Sequence, residues 1–230
     1  MCPPLAINLP LSETPDVKHA HLLDFVPHSE ISKAAFELAS RLLPPSILNH
    51  SIRVYLYAHF LTQPNSIYSS AKQDLLFAAC ILHDIGIVPQ YDGHQRFEVE
   101  GADSAAEHLR RFDVKEGDIH DVWVAIALHT SPVIAERISE LARIVREAVL
   151  IDFGKRKSLS SGNRNEEDLM KLREGFEEKY PRLGVEKVLG DAVVEQAVRH
   201  PEKAPPASWP GILYRAHLAD PGWGGVNRAF

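Results

Sequence analysis

The feature that most constrains this chain is a strongly apolar segment that ends in two ionisable residues. Residues 71–83, AKQDLLFAACILH, predict a helix that is buried on most of its sides. His83 ends this segment and Asp84 follows it directly. Burying such a pair in apolar surroundings is unfavourable unless a cation or hydrogen bonds compensate. One interpretation is a metal site built on both residues; the other is a helix cap at Asp84 beside a hydrogen-bonded core histidine.

Two further segments place metal-ligand side chains at positions that we expect to be buried. His50 lies inside a predicted helix, NHSIRVYLYA, whose apolar residues indicate packing against the core. Asp152 closes another apolar helix, IVREAVLIDFG. Imidazole nitrogen and carboxylate oxygen together suit Zn²⁺ or Fe²⁺. The sequence therefore predicts a divalent metal ion that is held by side chains from separate elements: His50, His83, Asp84 and Asp152.

Helical periodicity runs through most of the chain, and strand signals are few. Residues 1–28 mix prolines with polar residues and predict an N-terminal arm. Residues 29–200 predict a metal-binding helical bundle with long loops, with Ser29 as the N-cap of its first helix. Residues 201–230, rich in Pro and Gly, predict an extended C-terminal tail packed on this domain. The expected fold class is all-α.

Composition and charge argue against several classes of function. The chain has 230 residues, 45% of them hydrophobic, and a formal net charge of -6. This balance gives no basis for binding nucleic acid or an anionic membrane, and the basic run at 155–157 fits a solvated loop. We find no secretory signal and no stretch near the roughly 20 apolar residues of a membrane span. With only Cys2 and Cys80 as cysteines, we expect a reducing, cytoplasmic setting. We also expect a small-molecule substrate. Whether the chain forms a homo-oligomer stays open.

The order of these histidines and aspartates resembles that of a known domain. H…HD…D, carried by NHSIRV, ILHDIG and VLIDFG, resembles the HD domain, a helical fold that holds metal ions between its helices. The resemblance covers roughly residues 40–190. Within that superfamily the chain is similar to cyanamide hydratase-like proteins, through NHS-x-RV, RFEVEGADSAA, the histidine at 129 and the Pro-Arg pair at 181–182. The resemblance implies a metal-dependent hydro-lyase.

The resemblance also bears on the number of metal ions. Two-metal HD phosphohydrolases and oxygenases commonly carry a further histidine shortly before the Gly-Ala pair that follows the HD loop. Phe97 stands at that position here, and phenylalanine cannot bind a metal. We therefore expect one divalent ion, with zinc favoured over iron. His94 and His108 stay open as substitute ligands for a second ion.

Four polar residues are candidates for catalysis or for orienting a ligand. His129, at the family's histidine position, is interpreted as a base that contacts the substrate and shuttles a proton; the alternative is a core or capping histidine. Asp84 is expected to be catalytic as well as a ligand. Glu98 is preferred over the second glutamate of FEVE as a catalytic pocket residue, because a spacing of two does not share a helix face. Arg53 either orients a ligand carboxylate or forms a surface ion pair.

The expected reaction is the hydration of a small nitrile, with conversion of cyanamide to urea as the first candidate. No group leaves, which fits a chain with no Gly-rich phosphate loop and with Ile87 where HD phosphohydrolases often carry lysine. Ile87 also replaces a threonine of cyanamide hydratases, so a more apolar pocket or another small substrate stays open. The alternatives are a metal-dependent phosphohydrolase, in which Arg53, Arg96 or Arg182 binds phosphate, and a non-catalytic HD scaffold.

Overall fold

A computed structural model describes residues 25–62, 70–156 and 166–230, and within them the regular structure is entirely helical. The all-α prediction is thus confirmed for these ranges. Most of the predicted N-terminal arm and Lys157 of the basic run lie outside them. The α-helices are α1 Glu30–Leu42, α2 Pro45–Thr62, α3 Ser70–Leu82, α4 Phe97–Arg110, α5 Glu116–Leu128, α6 Ala135–Ile138, α7 Glu140–Asp152, α8 Glu166–Lys179, α9 Val185–Arg199 and α10 Trp209–Ala219.

The first helix begins and ends as its sequence predicts. The Ser29 side chain accepts a hydrogen bond from the Ser32 backbone N–H at 3.1 Å, which confirms the predicted N-cap. The same hydroxyl donates to Asp74 at 2.6 Å and so ties the start of α1 to α3. Leu42 is the last residue of α1, and Pro45 opens α2, where a missing backbone N–H is tolerated.

Helix α3 is the centre of the bundle. Every side chain from Leu76 to Leu82 is fully buried, because α1, α2, α4, α5 and α7 all pack against this helix. The prediction of a helix buried on most sides is confirmed. The chain therefore delivers the residues after Leu82 into the middle of the molecule and not to its surface.

The turn after α3 depends on a glycine, for a reason other than its dihedral angles. A Cβ on Gly86 would lie 1.9 Å from the backbone oxygen of Phe97, the first residue of α4. Gly101, one turn further along α4, faces the same turn, since its Cβ would lie 3.2 Å from the Gly86 nitrogen. Only a residue without a side chain allows the two backbones to approach so closely, and this contact fixes α4 against the turn that carries His83 and Asp84.

Helix α7 brings its last residue back to the same region. Ser139 caps its start by accepting from the Ala142 N–H at 3.1 Å. Its end is marked by Gly154 with φ of 66°, the left-handed conformation that commonly terminates helices. Asp152 is therefore the final helical residue, and α7 packs along α2, which carries His50.

The C-terminal tail differs from the extended segments that its composition predicts. Residues 209–219 form α10, which packs on α9. Ser208 caps this helix by accepting from the Gly211 N–H, and Pro210 lies in the first turn, where proline is favourable. Beyond it, the Phe230 ring packs against Trp209 at a centroid distance of 5.5 Å. Within the described ranges, every helix is too short or too polar to cross a membrane.

Candidate metal centre

The ends of four helices meet at one buried place. His50 comes from the first half of α2, His83 and Asp84 follow α3, His129 follows α5, and Asp152 ends α7. All five side chains are buried. Among the described residues, the group that can offer one ligand atom each within 4.8 Å of one another consists of His50, His83 and Asp84.

The distances within this group suit one small cation. The Nε2 atoms of His50 and His83 lie 3.2 Å apart. Oδ2 of Asp84 lies 3.1 Å from Nε2 of His83 and 3.5 Å from Nε2 of His50. Three ligand atoms, each from a different side chain, are thus close enough to bind the same ion.

The tautomers of the site histidines follow from what their Nδ1 atoms contact. Each Nδ1 lies within hydrogen-bond distance of an oxygen, so the neutral ring carries its proton on Nδ1 and presents the Nε2 lone pair to the centre. These contacts are His50 to Asp152 Oδ2 at 2.7 Å, His83 to the Cys80 carbonyl at 2.7 Å, and His129 to the Ile126 carbonyl at 2.6 Å.

The carboxylate of Asp84 is the part of the site that most calls for a cation. Both of its oxygens are buried, and neither accepts a hydrogen bond from the described residues. Burial alone would raise the pKa of Asp84, but the adjacent His83 imidazole holds it well below the usual range, so the group is ionised. In turn, burial would lower the pKa of His83, and Asp84 raises it. Two imidazole nitrogens and a carboxylate oxygen face one another here, and a divalent ion fits that donor set.

Asp152 lies on the opposite side of the His50 ring from this group. Its Oδ1 accepts from Arg53 Nε at 2.6 Å, and its Oδ2 accepts from Arg53 Nη2 at 2.9 Å and from His50 Nδ1. Burial would raise the pKa of Asp152, but His50 and Arg53 hold it well below its usual range. The arrangement is that of a carboxylate that orients a ligating histidine. The structure thus brings together three of the four predicted ligands and places the fourth behind one of them.

Arg53 takes the first of the two roles left open by the sequence. Its side chain is fully buried and holds the Asp152 carboxylate with two N–H groups, so it is not a surface ion pair. A third hydrogen bond, from Nη1 to the Tyr180 carbonyl at 2.8 Å, anchors it to the end of α8. The position three residues after His50 puts both side chains on the same helix face.

His129 lies beside the three-residue group. Its Nε2 is 3.5 Å from Oδ1 of Asp84, and the side chain lines the cavity described below. Arg146 donates to the His129 backbone carbonyl at 3.0 Å, and the Phe97 ring packs on the imidazole at a centroid distance of 5.7 Å. Phe97 therefore occupies space next to the site without offering a ligand.

Glu98 does not face the site as the sequence led us to expect. Its side chain is buried, but it accepts hydrogen bonds from Arg96 at 2.6 Å and from the Thr130 hydroxyl at 2.6 Å, and it does not line the cavity. Thr130 does line the cavity. Glu98 thus holds the segment after His129 in place and does not face the group formed by His50, His83 and Asp84.

The two histidines kept open for a second ion lie elsewhere. The His94 side chain is 88% exposed and sits 3.9 Å from Glu202. His108 is buried against α1, with Nε2 3.4 Å from the Ile31 carbonyl oxygen. Neither histidine lines the cavity over the site. Among the described residues, they therefore do not form a second metal site with His50, His83 and Asp84.

A cavity of about 650 Å³ opens above the imidazoles. One of its walls is a face of α7 formed by Arg146, Val149, Leu150 and Phe153, spaced as i, i+3, i+4 and i+7. That spacing is the signal by which the sequence could have revealed this wall. A second wall, which meets the first where Phe153 contacts Phe230, comes from α10 and the last residues, through Trp209, Ile212, Arg215, Ala229 and Phe230.

The basic residues near the site divide into two groups. Arg96 is paired with Glu98, and Arg182 with Glu177 and Glu186, so these candidates for phosphate binding are already engaged. Cations that the sequence did not indicate line the cavity instead: Lys155 and Arg215, and also Arg146, which is paired with Glu136 at 3.4 Å. The basic run at 155–157 is therefore more than a solvated loop, because its first residue faces the cavity.

Comparison with known proteins agrees with this picture at the level of the domain. The HD domain family matches residues 47–148, the segment that carries His50, His83, Asp84 and His129. Two cyanamide hydratases of Saccharomyces cerevisiae, DDI2 and DDI3, are each 34% identical to this chain over 59 residues. That segment is 26% of this chain and 26% of each yeast protein, so the similarity spans about a quarter of the relatives' length.

Proposed function

We propose that this chain is a metal-dependent hydratase that adds water to a nitrile, with cyanamide, which would give urea, as the first substrate to test. The observation that carries the proposal is the buried group formed by the Nε2 atoms of His50 and His83 and the Asp84 carboxylate, whose oxygens accept no hydrogen bond from the described residues. The names of the two yeast relatives supply the reaction, and the HD match supports a metal centre of this type.

His50, His83 and Asp84 would hold the ion through Nε2, Nε2 and a carboxylate oxygen. Two nitrogens and one oxygen suit zinc, with iron as the second choice. A bound divalent ion supplies Lewis acidity, which lowers the pKa of a coordinated water to about 7. Asp152 and Arg53 keep the His50 ring in the orientation that presents Nε2.

His129 is the residue placed to move a proton. Its Nδ1 is committed to the Ile126 carbonyl, so Nε2 is the nitrogen that faces both Asp84 and the cavity. Hydration of a nitrile places two protons of water on the substrate nitrogen, and an imidazole can accept and return one of them near neutral pH. Nothing leaves in this reaction, so no residue is needed for a leaving group.

The first test is metal content, measured by mass spectrometry, on the wild type and on His83→Ala, together with urea formation from cyanamide. We expect about one metal per chain in the wild type, since the donor set closes around one ion, and loss of both metal and activity in His83→Ala. His94→Ala, which removes an exposed histidine outside the cavity, should retain both. Full metal occupancy in His83→Ala contradicts this ligand set.

A phosphohydrolase acting on a nucleotide or a small phosphate ester is the second candidate. Lys155 and Arg215 favour it, because cations that line the cavity can bind phosphate oxygens. Phosphate release from a panel of nucleotides and phosphate esters separates the two. A metal-loaded wild type that releases phosphate and makes no urea would assign this second activity and overturn the first.

A further inference from the structure

We infer that the cavity over the metal centre takes an organic anion with an apolar body, considerably larger than cyanamide, as its substrate class. The reaction assigned to that substrate rests on the proposed hydratase function, whereas its binding follows from the cavity. Three features of the cavity carry the inference: its size, its apolar walls and the charge at its mouth.

The cavity is too large for cyanamide alone. Its volume of about 650 Å³ lies in the middle of the roughly 300–1,000 Å³ that enclose drug-sized ligands. Cyanamide has only a few atoms and would leave most of this space to water. A substrate that fills the cavity gains the burial of its own apolar surface, which is the main source of affinity at such sites.

The walls suit an aromatic or aliphatic body. Phe153, Trp209 and Phe230 form a continuous aromatic surface, with ring centroids 5.0 Å apart between the two phenylalanines and 5.5 Å apart between Trp209 and Phe230. Leu189 and Ile212 extend this surface along the cavity. Edge-to-face rings of this kind offer both faces and edges to a flat substrate.

The exposure of the lining residues gives the cavity a direction. His50, His83 and Asp84 are almost fully buried, whereas Ile212 is 44% and Ile134 is 56% exposed. The metal centre is therefore the inner end, and the exposed lining residues, which come from the segment after His129, from α10 and from the segment after α7, form the mouth. A reacting group at one end of the substrate must enter first.

Two exposed cations lie at the mouth, although the whole chain has a net charge of -6. Lys155 and Arg215 are both exposed and line the cavity. Lys155 donates to the Phe230 carbonyl at 3.0 Å and Arg215 to the Pro206 carbonyl at 2.6 Å. In the part of the chain that the structure describes, neither forms an ion pair with an Asp or Glu side chain, so both can contact a carboxylate or phosphate on the substrate.

The chemistry of such a substrate balances without a further reactant. The oxygen of water bonds to the nitrile carbon and its two hydrogens go to the nitrogen, so that R–C≡N and water give R–CO–NH₂. The anionic group at the mouth takes no part in bond making. It holds the substrate so that the nitrile lies at the inner end.

The test measures binding by isothermal titration calorimetry to the metal-loaded protein. 2-Naphthoate, its neutral isostere 2-naphthamide and 2-naphthyl phosphate are the probes. We expect both anions to bind about tenfold more tightly than the amide. The double variant Lys155→Met/Arg215→Met should remove this preference and leave amide binding unchanged. Lys187→Met/Arg111→Met, which removes exposed cations outside the cavity, should keep the preference.

The apolar part is tested by filling the cavity. Ile212→Trp should weaken all three probes by about tenfold or more, because the added indole occupies ligand space. Leu218→Trp lies on the same helix outside the cavity and should not weaken them. Absent binding, equal binding of acid and amide, or a preference that survives in the Lys155/Arg215 double variant would overturn the inference. Anion-selective binding without conversion of any nitrile supports the anion-binding cavity and counts against the hydratase. Urea formation from cyanamide without anion-selective binding supports the hydratase and counts against the anion-binding cavity.

Discussion

At the scale of single residues, the second nitrogen of each imidazole decides what the site can bind. Nδ1 of His50, His83 and His129 is held by an oxygen acceptor, and this leaves three Nε2 atoms directed at one place. The sequence predicted that His50, His83, Asp84 and Asp152 meet at one ion, and the structure groups the first three. The sequence did not predict that Asp152 faces Nδ1 of His50, because the direction of a carboxylate depends on partners such as Arg53 that only the packed structure reveals.

The orienting role of Asp152 can be separated from direct ligation. In Asp152→Asn, the amide oxygen can still accept from His50 Nδ1, but Arg53 loses its charged partner. We expect zinc affinity to fall about 10–100-fold, as for other carboxylates behind a ligating histidine. Competition with a chromophoric chelator measures this, and Asp84→Asn is the comparison, with binding abolished. An equal loss in both variants would favour Asp152 as a direct ligand.

His108 provides a pH-dependent contribution to stability away from the metal centre. Burial lowers its pKa, so the folded protein disfavours its charged form. Above the unfolded pKa of about 6.5 the ring is neutral in both states and has no effect. As the pH falls below that value, the unfolded chain takes up the proton first, and the folded state loses stability.

Urea unfolding of the wild type and His108→Asn at several pH values tests this. The free energy of unfolding should fall more steeply in the wild type between about pH 7.5 and pH 5.5 than in the variant. Metal concentration is kept the same for both proteins. Parallel curves for the two would show that His108 protonates equally in the folded and unfolded states.

At the scale of elements, local rules account for most of the helices. The cap at Ser29, the Pro44-Pro45 break and the apolar run of α3 each predict what the structure contains. Helix α10 is the exception, because a tail rich in Pro and Gly indicates loop while Ser208 and Pro210 form a favourable helix start. The orientation of Glu98 was also beyond the sequence, since Thr130, its partner, is 32 positions away.

The contact between the α3 turn and α4 can be tested with a matched pair of glycine substitutions. In Gly86→Ala, the new Cβ meets a backbone oxygen at 1.9 Å, and the free energy of unfolding should fall by about 1–3 kcal/mol or more. Gly175 lies exposed in α8 with open space around it. Gly175→Ala should therefore stabilise by about 0.5–1 kcal/mol. Denaturant titration measures both, and a neutral Gly86→Ala would mean that the two backbones separate without cost.

At the scale of the whole molecule, the cavity is assembled from segments far apart in the chain. Its inner end comes from α2, α3 and α5, one wall from α7 and the other from α10 and the final residues. Sequence reasoning found the inner end, because ligand residues have a recognisable pattern. It did not find Lys155 or Arg215, because these residues follow no such pattern until the helices are packed. The helical spacing of Arg146 with Val149, Leu150 and Phe153 was a signal for the α7 wall that the sequence reasoning did not use.

Metal binding should stabilise the entire fold. An ion that binds only the folded chain, at 100 times its Kd, adds about 2.7 kcal/mol, which corresponds to an increase in Tm of about 5–10 °C for a chain of this size. Differential scanning fluorimetry with and without zinc measures the shift. His83→Ala should show no shift, and an equal shift in that variant would place the ion elsewhere.

The two carboxylate oxygens of Asp84, which accept no hydrogen bond from the described residues, affect how the protein is produced in a cell. A newly made chain that reaches its native packing without an ion must bury a carboxylate whose oxygens accept no hydrogen bond from the described residues, which opposes the last stage of folding. The yield of native protein should therefore follow the supply of divalent metal during expression. Starved cultures would then contain more of the chain in degraded or aggregated form.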